Sequence, residues 1–126
     1  MKYHIYDISY VLGAVPAMLN PLVFYKCLAE ETRLKSLLLI TVKHELCVCD
    51  LVQALELSQP KISRHLAELR KCEIVLDEKR GTWVYYKLHP ALPAWAKQVL
   101  EITAAAENEF IAKEINHLKN QTNRCT

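Results

Sequence analysis

The segment SQPKISRHLAELR, residues 58–70, decides the fold predicted for this chain. Its first serine, followed two residues later by proline, indicates a helix start, because serine caps helices and proline fits their first turn. Ile62, Leu66 and Leu69 recur at helical spacing and predict one buried stripe. The polar and basic residues between them are therefore predicted to face outward.

A second helix is predicted just upstream in CVCDLVQALE, residues 47–56, where apolar residues again repeat with a helical period. Cys47 and Asp50 have the spacing of a capping box, with a thiol in place of the usual hydroxyl. That spacing puts Cys47 at the N-terminus of the helix and Cys49 in its first turn. Two short helices joined by a few residues form a helix-turn-helix unit.

The stretch IVLDEKRGTWVYYKL, residues 74–88, changes from helical to strand-forming composition. Two β-rich runs flank a turn that contains Gly81, which predicts a β-hairpin. Lys79 and Arg80 lie at the tip of this hairpin, where they can reach a neighbouring phosphate backbone. The two acidic residues just before them weaken that interpretation.

Further helices are predicted on both sides of these elements. Upstream, an Asn-Pro pair opens a helix at about 20–29, and a leucine-rich stripe predicts another at 32–43. Downstream, one long helix is predicted from about Leu92 to Lys119. Its apolar residues alternate at spacings of three and four, which suits packing against a partner helix. The predicted dimer interface consists of Leu92, Trp95, Val99, Ile102 and Ala106.

These elements together predict an α+β fold that is mostly α, a winged helix-turn-helix. The hairpin is the wing and the terminal helix carries the dimer contact. The chain divides into an N-terminal extension (1–19), the winged helix-turn-helix dimer domain (20–119) and a flexible tail (120–126).

Composition narrows the class of protein. The chain has 126 residues, 52% of them hydrophobic, which is enough for one packed domain. A net charge of only +2 gives no general argument for nucleic acid, so any such case rests on where the basic residues lie. Five cysteines without regular spacing favour free thiols in a reducing cytoplasm. No apolar run is long enough to span a membrane.

The helix at 58–70 has the composition of a DNA-reading helix. Hydroxyl, amide and imidazole groups can pair with base edges, and lysine and arginine can reach phosphates or guanine. The alternative is a solvated surface helix, and the wing and dimer contact favour DNA instead. The predicted DNA contacts are Ser58, Gln59, Lys61, Ser63, Arg64 and His65 on the helix and Lys79 and Arg80 on the wing.

Three motifs, ELCVCDLV, SQPKISRHLAELR and RGTWVYYKL, occur here in the order and spacing of a known family. From about Phe24 to Lys97, the chain resembles the arsenical-resistance repressors of the ArsR/SmtB type. The resemblance implies a homodimeric repressor that binds a palindromic double-stranded DNA operator. It also implies release of the operator when a soft metal or metalloid binds. A dimer predicts half-sites one helical turn apart, roughly 34 Å.

Cys47 and Cys49 are the predicted inducer site, because thiolate sulfur selects soft ions. The resemblance makes As(III) or Sb(III) the expected inducer. Two residues apart in a regular helix, the thiols would point about 200° apart. Binding one ion therefore requires an irregular helix start or local unwinding. The alternative is that both cysteines are buried apolar fillers.

The inducer site departs from the family pattern at one position. The best-matching repressors carry a third thiol where this chain has Val52. The missing ligand is then Cys125, Cys27, an exogenous thiol or hydroxide, or, as weaker candidates, His4 or His44.

Two positions outside the inducer site also depart from the family. Glu73 stands where relatives have glycine, and a left-handed turn there is strained by roughly 1 kcal/mol or more. The turn is therefore strained or different. Alanines at 104 and 106 replace the first metal-binding pair of the family's terminal helix, so no zinc site is expected there.

The leading hypothesis is a DNA-binding repressor released by arsenite or antimonite. Alternatives within the same fold are a repressor that responds to cadmium, lead or thiol oxidation, and a DNA-binding module without an inducer. An enzyme is not expected: a thiol oxidoreductase would need a βαβ context that the Cys-x-Cys motif lacks. No organic cofactor is predicted.

Overall fold

The structure is a computed structural model that describes residues 19–119. The N-terminal extension and the tail predicted at 120–126 lie almost wholly outside these residues. Six helices, three strands and one 3₁₀ turn follow one another along the described chain. In order they are α1 (Pro21–Leu28), α2 (Glu31–Lys43), β1 (Leu46–Cys47), α3 (Val48–Leu55), α4 (Gln59–Lys71), β2 (Val75–Arg80), β3 (Trp83–Leu88), α5 (Ala94–Ala106), the 3₁₀ turn (Asn108–Ile111) and α6 (Ala112–Lys119).

Helix α2 is the centre of the core. Its four consecutive residues Leu37 to Ile40 are fully buried, so it is surrounded on nearly every side. Helices α1, α4 and α5, strands β1 and β3 and the 3₁₀ turn all pack against it. Each buried leucine or isoleucine contributes roughly 1.5–3 kcal/mol to folding. The rest of the fold is therefore organised around α2.

The predicted helix starts are confirmed by their caps. The Asn20 side chain accepts a hydrogen bond from the Val23 N–H at 2.9 Å, and proline follows at the first helical position. The Ser58 hydroxyl accepts one from the Lys61 N–H at 3.4 Å at the start of α4. In α4 the predicted stripe of Ile62, Leu66 and Leu69 is fully buried. Local sequence therefore determines where α4 begins and which of its sides is buried.

The predicted hairpin is present, but it belongs to a larger sheet. Strands β2 and β3 pair antiparallel, and Gly81 sits in the turn with a φ of 63° that glycine adopts without strain. Strand β1 adds a third, antiparallel strand on the other edge of β3. Two-residue strands carry no sequence signal of their own. Only the packing of β1 against the wing reveals it.

The single long terminal helix predicted from Leu92 to Lys119 is wrong. Leu92 precedes α5 and is buried in this chain's own core, so it is not available to a partner helix. After Ala106 the chain passes through Glu107 and a 3₁₀ turn before α6 begins. The break lies at residues 107–111, where Asn108, a weaker helix former than its glutamate neighbours, begins the 3₁₀ turn. It allows Ile111 to be buried and turns α6 back onto α3.

The strained turn considered at Glu73 is retained. Glu73 has a φ of 61°, the left-handed conformation that glycine would adopt more easily. Its N–H donates to the Arg70 carbonyl at 2.9 Å, which closes the end of α4. The alternative of a different turn is therefore wrong. Between residues 19 and 119 no helix is both long and apolar enough to cross a membrane.

Candidate thiol site and nucleic-acid interface

The sulfur atoms of Cys47 and Cys49 lie 3.1 Å apart. Cys47 is the last residue of β1 and the N-cap of α3, with an extended backbone at φ −76° and ψ 155°. Cys49 is in the first turn of α3. Because Cys47 is not helical, the two side chains converge instead of diverging by the angle that a regular helix imposes. One ion can therefore contact both sulfurs without unwinding of α3.

Asp50 fixes the backbone of this thiol site. Its carboxylate accepts a hydrogen bond from the Cys47 N–H at 2.9 Å, which is the carboxylate half of the predicted capping box. The Asp50 side chain is buried, with 1% of its surface exposed. A buried carboxylate bound to the first amide of a helix is a strong, orienting contact. Asp50 therefore holds Cys47 in the conformation that brings the sulfurs together.

The structure does not bring Cys27 to this thiol site. The Cys27 sulfur instead lies 2.9 Å from that of Cys72, at the end of α4. Between residues 19 and 119, no three histidine, cysteine or acidic side chains gather as a metal site. The structure therefore places Cys27 beside Cys72 and away from the thiol site. The other predicted donor, Cys125, lies outside the described residues, and Val52 is half-buried against the core.

Helix α4 presents its polar face to the surface as predicted. Ser58, Gln59, Lys61 and Arg64 are exposed, and Ser63 is half-buried. The Gln59 amide donates to the Ser63 hydroxyl at 2.9 Å. Within the described part of the chain Lys61 and Arg64 form no salt bridge. Their charges therefore remain available to an anionic partner.

His65 differs from the other predicted contacts on α4. Its ring is half-buried and turned toward α2, with Nδ1 at 3.5 Å from both the Glu30 carboxylate and the Arg33 guanidinium. Burial raises the pKa of Glu30, but amide hydrogen bonds from Arg33 and Thr32 and the nearby His65 and Arg33 charges bring it below its ordinary value. His65 therefore joins α4 to the start of α2.

The wing is joined to the thiol site through Arg80. The two terminal nitrogens of Arg80 bind the two carboxylate oxygens of Glu45 at 2.7 and 2.8 Å. Arg80 also contacts Glu78 at 3.0 Å and lies over the Tyr85 ring at 4.5 Å. Hydrogen bonds from the Glu45 and Glu78 carboxylates raise the pKa of Arg80 above its ordinary value. Lys79, next to it, is exposed, so it is the wing cation more open to a nucleic acid.

Helices α1 and α5 carry four exposed large apolar residues, which we group as the α1–α5 face: Leu22, Tyr25, Trp95 and Ile102. Their exposed fractions are 68%, 49%, 39% and 65%. The Trp95 ring packs edge-on against buried Phe24 at 5.0 Å and lies 6.3 Å from Tyr25. Val99 packs against the core and Ala106 is exposed. The sequence prediction missed Leu22 and Tyr25, because one helix turn on α1 carries too little periodicity to mark them.

Comparison with known proteins finds similarity to the family that the three sequence motifs resemble. Residues 30–76 match the model of the bacterial regulatory protein, arsR family. The chain is 48% identical to the arsenic resistance transcriptional regulator ArsR1 of Pseudomonas putida, covering 81% of this chain and 80% of the relative. It is 47% identical to the arsenical resistance operon repressor of Escherichia coli, covering 83% and 90%. HlyU from Vibrio cholerae shares the fold with a TM-score of 0.61 at 34% identity, covering 68% and 88%.

Proposed function

Because this chain belongs to the arsR family of bacterial regulatory proteins, we propose that it is a transcriptional repressor controlled by trivalent arsenic or antimony. It binds operator DNA as a dimer and releases that DNA when the inducer binds Cys47 and Cys49. The observation that carries the proposal is the 3.1 Å separation of these two sulfurs at the start of α3.

The DNA step rests on α4 and the wing. Helix α4 offers Lys61 and Arg64 for phosphates or guanine edges, and Ser58, Gln59 and Ser63 for polar contacts to bases or backbone. Lys79 and Arg80 add a second point of contact on the wing. His65 acts indirectly: it contacts Glu30 and Arg33 and so fixes the orientation of α4 relative to α2.

The inducer step rests on soft-ligand chemistry. Trivalent arsenic and antimony bind thiolate sulfur in preference to oxygen. Cys47 and Cys49 supply two sulfurs, and Val52 occupies the position where a third would be. The third ligand is therefore Cys125, or an exogenous thiol or hydroxide. No organic cofactor is required.

Cys47 can transmit inducer binding to both DNA-contacting elements. It caps α3, the helix that supports α4, and it also pairs with Tyr85 of β3 in the wing. Glu45, two residues earlier, holds Arg80 of the wing. A soft ion held by Cys47 and Cys49 would shift Cys47, and that shift would act on the wing and the helix pair together. The inducer would lower DNA affinity because α4 and the wing would no longer be positioned to contact the same DNA.

The α1–α5 face supplies the dimer contact. This face exposes the indole of Trp95, the phenol of Tyr25 and the aliphatic side chains of Leu22 and Ile102. Exposed apolar groups of this kind mark protein interfaces. In the proposed dimer this face pairs with its copy about a two-fold axis, and the two α4 helices are presented to one duplex. A dimer so arranged fits a palindromic operator.

The proposal is tested by fluorescence anisotropy with the DNA upstream of the chain's own gene. The reduced protein is titrated with arsenite, antimonite, cadmium, lead or hydrogen peroxide in parallel. Arsenite and antimonite are expected to release the DNA near stoichiometric concentration. Release by cadmium or lead alone would favour a different soft-metal repressor, and release by peroxide alone would favour a redox repressor. Persistence of the complex in every titration would make the chain a DNA-binding module without an inducer.

A further inference from the structure

A second pair of thiols lies outside the inducer site. Cys27 is near the C-terminal end of α1, and Cys72 is the residue that ends α4. The two residues are 45 positions apart in the chain, yet their sulfur atoms are 2.9 Å apart. We propose that Cys27 and Cys72 form a modification site that a two-electron oxidant, such as hydrogen peroxide, converts into an intramolecular disulfide.

The backbones on both sides of this pair are already held in place. The Arg33 side chain donates from Nε to the Cys27 carbonyl at 2.8 Å, which fixes the end of α1 beside α2. The Cys72 N–H donates to the Glu68 carbonyl at 3.2 Å, which fixes the end of α4. A disulfide has a sulfur–sulfur bond of about 2.05 Å, so the two sulfurs need to approach by less than about 1 Å. Rotation of the side chains supplies a movement of this size.

The two thiols have different chemical roles. Cys27 is buried, with 8% of its surface exposed, whereas Cys72 is half-buried and meets solvent first. The Cys27 S–H donates toward the Cys72 sulfur. Burial first, and then the contact with Cys72, raises the pKa of Cys27 to about 12, so Cys27 stays protonated at neutral pH. Cys72 is therefore the thiol that reacts first with an oxidant.

The reaction balances in two steps. The Cys72 sulfur attacks one oxygen of hydrogen peroxide, an S–O bond forms, the O–O bond breaks, and the other oxygen leaves as water with the thiol proton. The Cys27 sulfur then attacks the Cys72 sulfur, the S–S bond forms and the S–O bond breaks. The hydroxide that leaves takes the Cys27 proton as a second water. Two thiols have lost two electrons and one peroxide has gained them.

The disulfide would enclose the DNA-reading unit in a covalent loop. The segment between the two cysteines, residues 28–71, contains α2, β1, α3 and all of α4. A cross-link over a loop of this length restricts the unfolded chain and raises thermal stability. Closure requires the sulfurs to approach by less than about 1 Å, so we expect α4 to keep its position and the protein to retain its DNA affinity. Oxidation here therefore stabilises the reading unit and does not induce release.

The test uses the full chain with Cys47, Cys49 and Cys125 replaced by serine, so that Cys27 and Cys72 are the only cysteines. The reduced variant receives one equivalent of hydrogen peroxide, is alkylated with N-ethylmaleimide and is analysed by intact-mass spectrometry. Both thiols are expected to become protected together, with a mass loss of two hydrogens and no covalent dimer. The midpoint of thermal unfolding is expected to rise by about 5 °C or more. A parallel experiment maps the peptides of the unmodified sequence, which removes any dependence on the folding of the variant.

A further replacement, Cys72→Ala, is the matched control and leaves the buried Cys27 in place. In this variant Cys27 is expected to keep its reactivity toward alkylation in the denatured protein after the same peroxide treatment. The proposal is overturned if Cys72 reaches the sulfinic state while Cys27 remains alkylatable. It is also overturned if the oxidised sulfurs are found only in covalent dimers. Neither readout uses arsenite or DNA, so failure here is distinct from failure of the proposed repressor function.

Discussion

The two cysteine pairs described in this protein have nearly the same sulfur–sulfur separation but different surroundings. Cys47 and Cys49 lie 3.1 Å apart at a helix start that is connected to the wing, whereas Cys27 and Cys72 lie 2.9 Å apart between two helix ends. The first pair begins α3, which packs on α4, and it pairs with β3 of the wing, so binding there can be transmitted to the two elements that we propose contact DNA. The second pair ties elements that already touch, so a bond there changes stability and leaves the surface in place. Distance alone therefore does not assign function to a thiol pair; its connections do.

The largest expected effect separates the two pairs by mutation. We predict that Cys49→Ser raises the arsenite concentration needed to release DNA by at least about 100-fold, because loss of a direct ligand exceeds the usual effect of losing an outer contact. Cys72→Ser, the matched control, is expected to leave that concentration unchanged. The measurement is the anisotropy titration with reduced protein. If the two replacements had equal effects, the two cysteine pairs would not differ in their role in the arsenite response.

A second prediction completes the inducer site. Val52→Cys places a sulfur one helical turn after Cys49, on the same side of α3. We expect the arsenite concentration for half-release to fall by about tenfold or more, because trivalent arsenic gains a third thiolate. Val52→Ala is the control for lost packing and is expected to give no gain. An unchanged response of the cysteine variant would mean that a third sulfur is already supplied from elsewhere in the chain.

A third prediction concerns the contact that shapes the inducer site. Asp50→Ala removes the carboxylate that accepts from the Cys47 N–H, so a buried amide loses its cap. We expect the free energy of unfolding to fall by about 1–2 kcal/mol in urea denaturation. Arsenite response is expected to weaken as well, because Cys47 is less firmly held. Asp50→Asn keeps an acceptor oxygen, so it should lose less stability and less arsenite response than Asp50→Ala. If Asp50→Ala changed neither property, Asp50 would have no role in shaping the site.

The smallest expected effect concerns the turn at Glu73, which follows Cys72. Glu73 has a φ of 61°, so Glu73→Gly relieves left-handed strain at the end of α4. After the greater entropy of unfolded glycine is subtracted, we expect stability to rise by about 0.5–1 kcal/mol. Thermal unfolding measures the gain. A loss of stability would show that the Glu73 side chain contributes more than its backbone strain removes.

Much of the fold was predictable because local signals agreed with each other. Caps at Asn20 and Ser58, the buried stripe of α4 and the glycine turn of the wing all act within a few residues. The prediction for the terminal helix was wrong because its apolar spacing continued across Glu107, while tertiary packing turned α6 onto α3. Strand β1 was not predicted because two residues have no period to detect. These are cases where long-range contact overrides local preference.

The sequence by itself determined the helix-turn-helix and the wing, and it identified the two cysteines of the proposed inducer site. Each of these depends on residues close together in the chain, where capping, periodicity and spacing act directly. Only the tertiary structure decided that Cys27 meets Cys72 rather than the proposed inducer site, and that Tyr25 lies beside Trp95. Those contacts join residues far apart in the chain. Their formation depends on the packing of whole helices around α2, which no local pattern encodes.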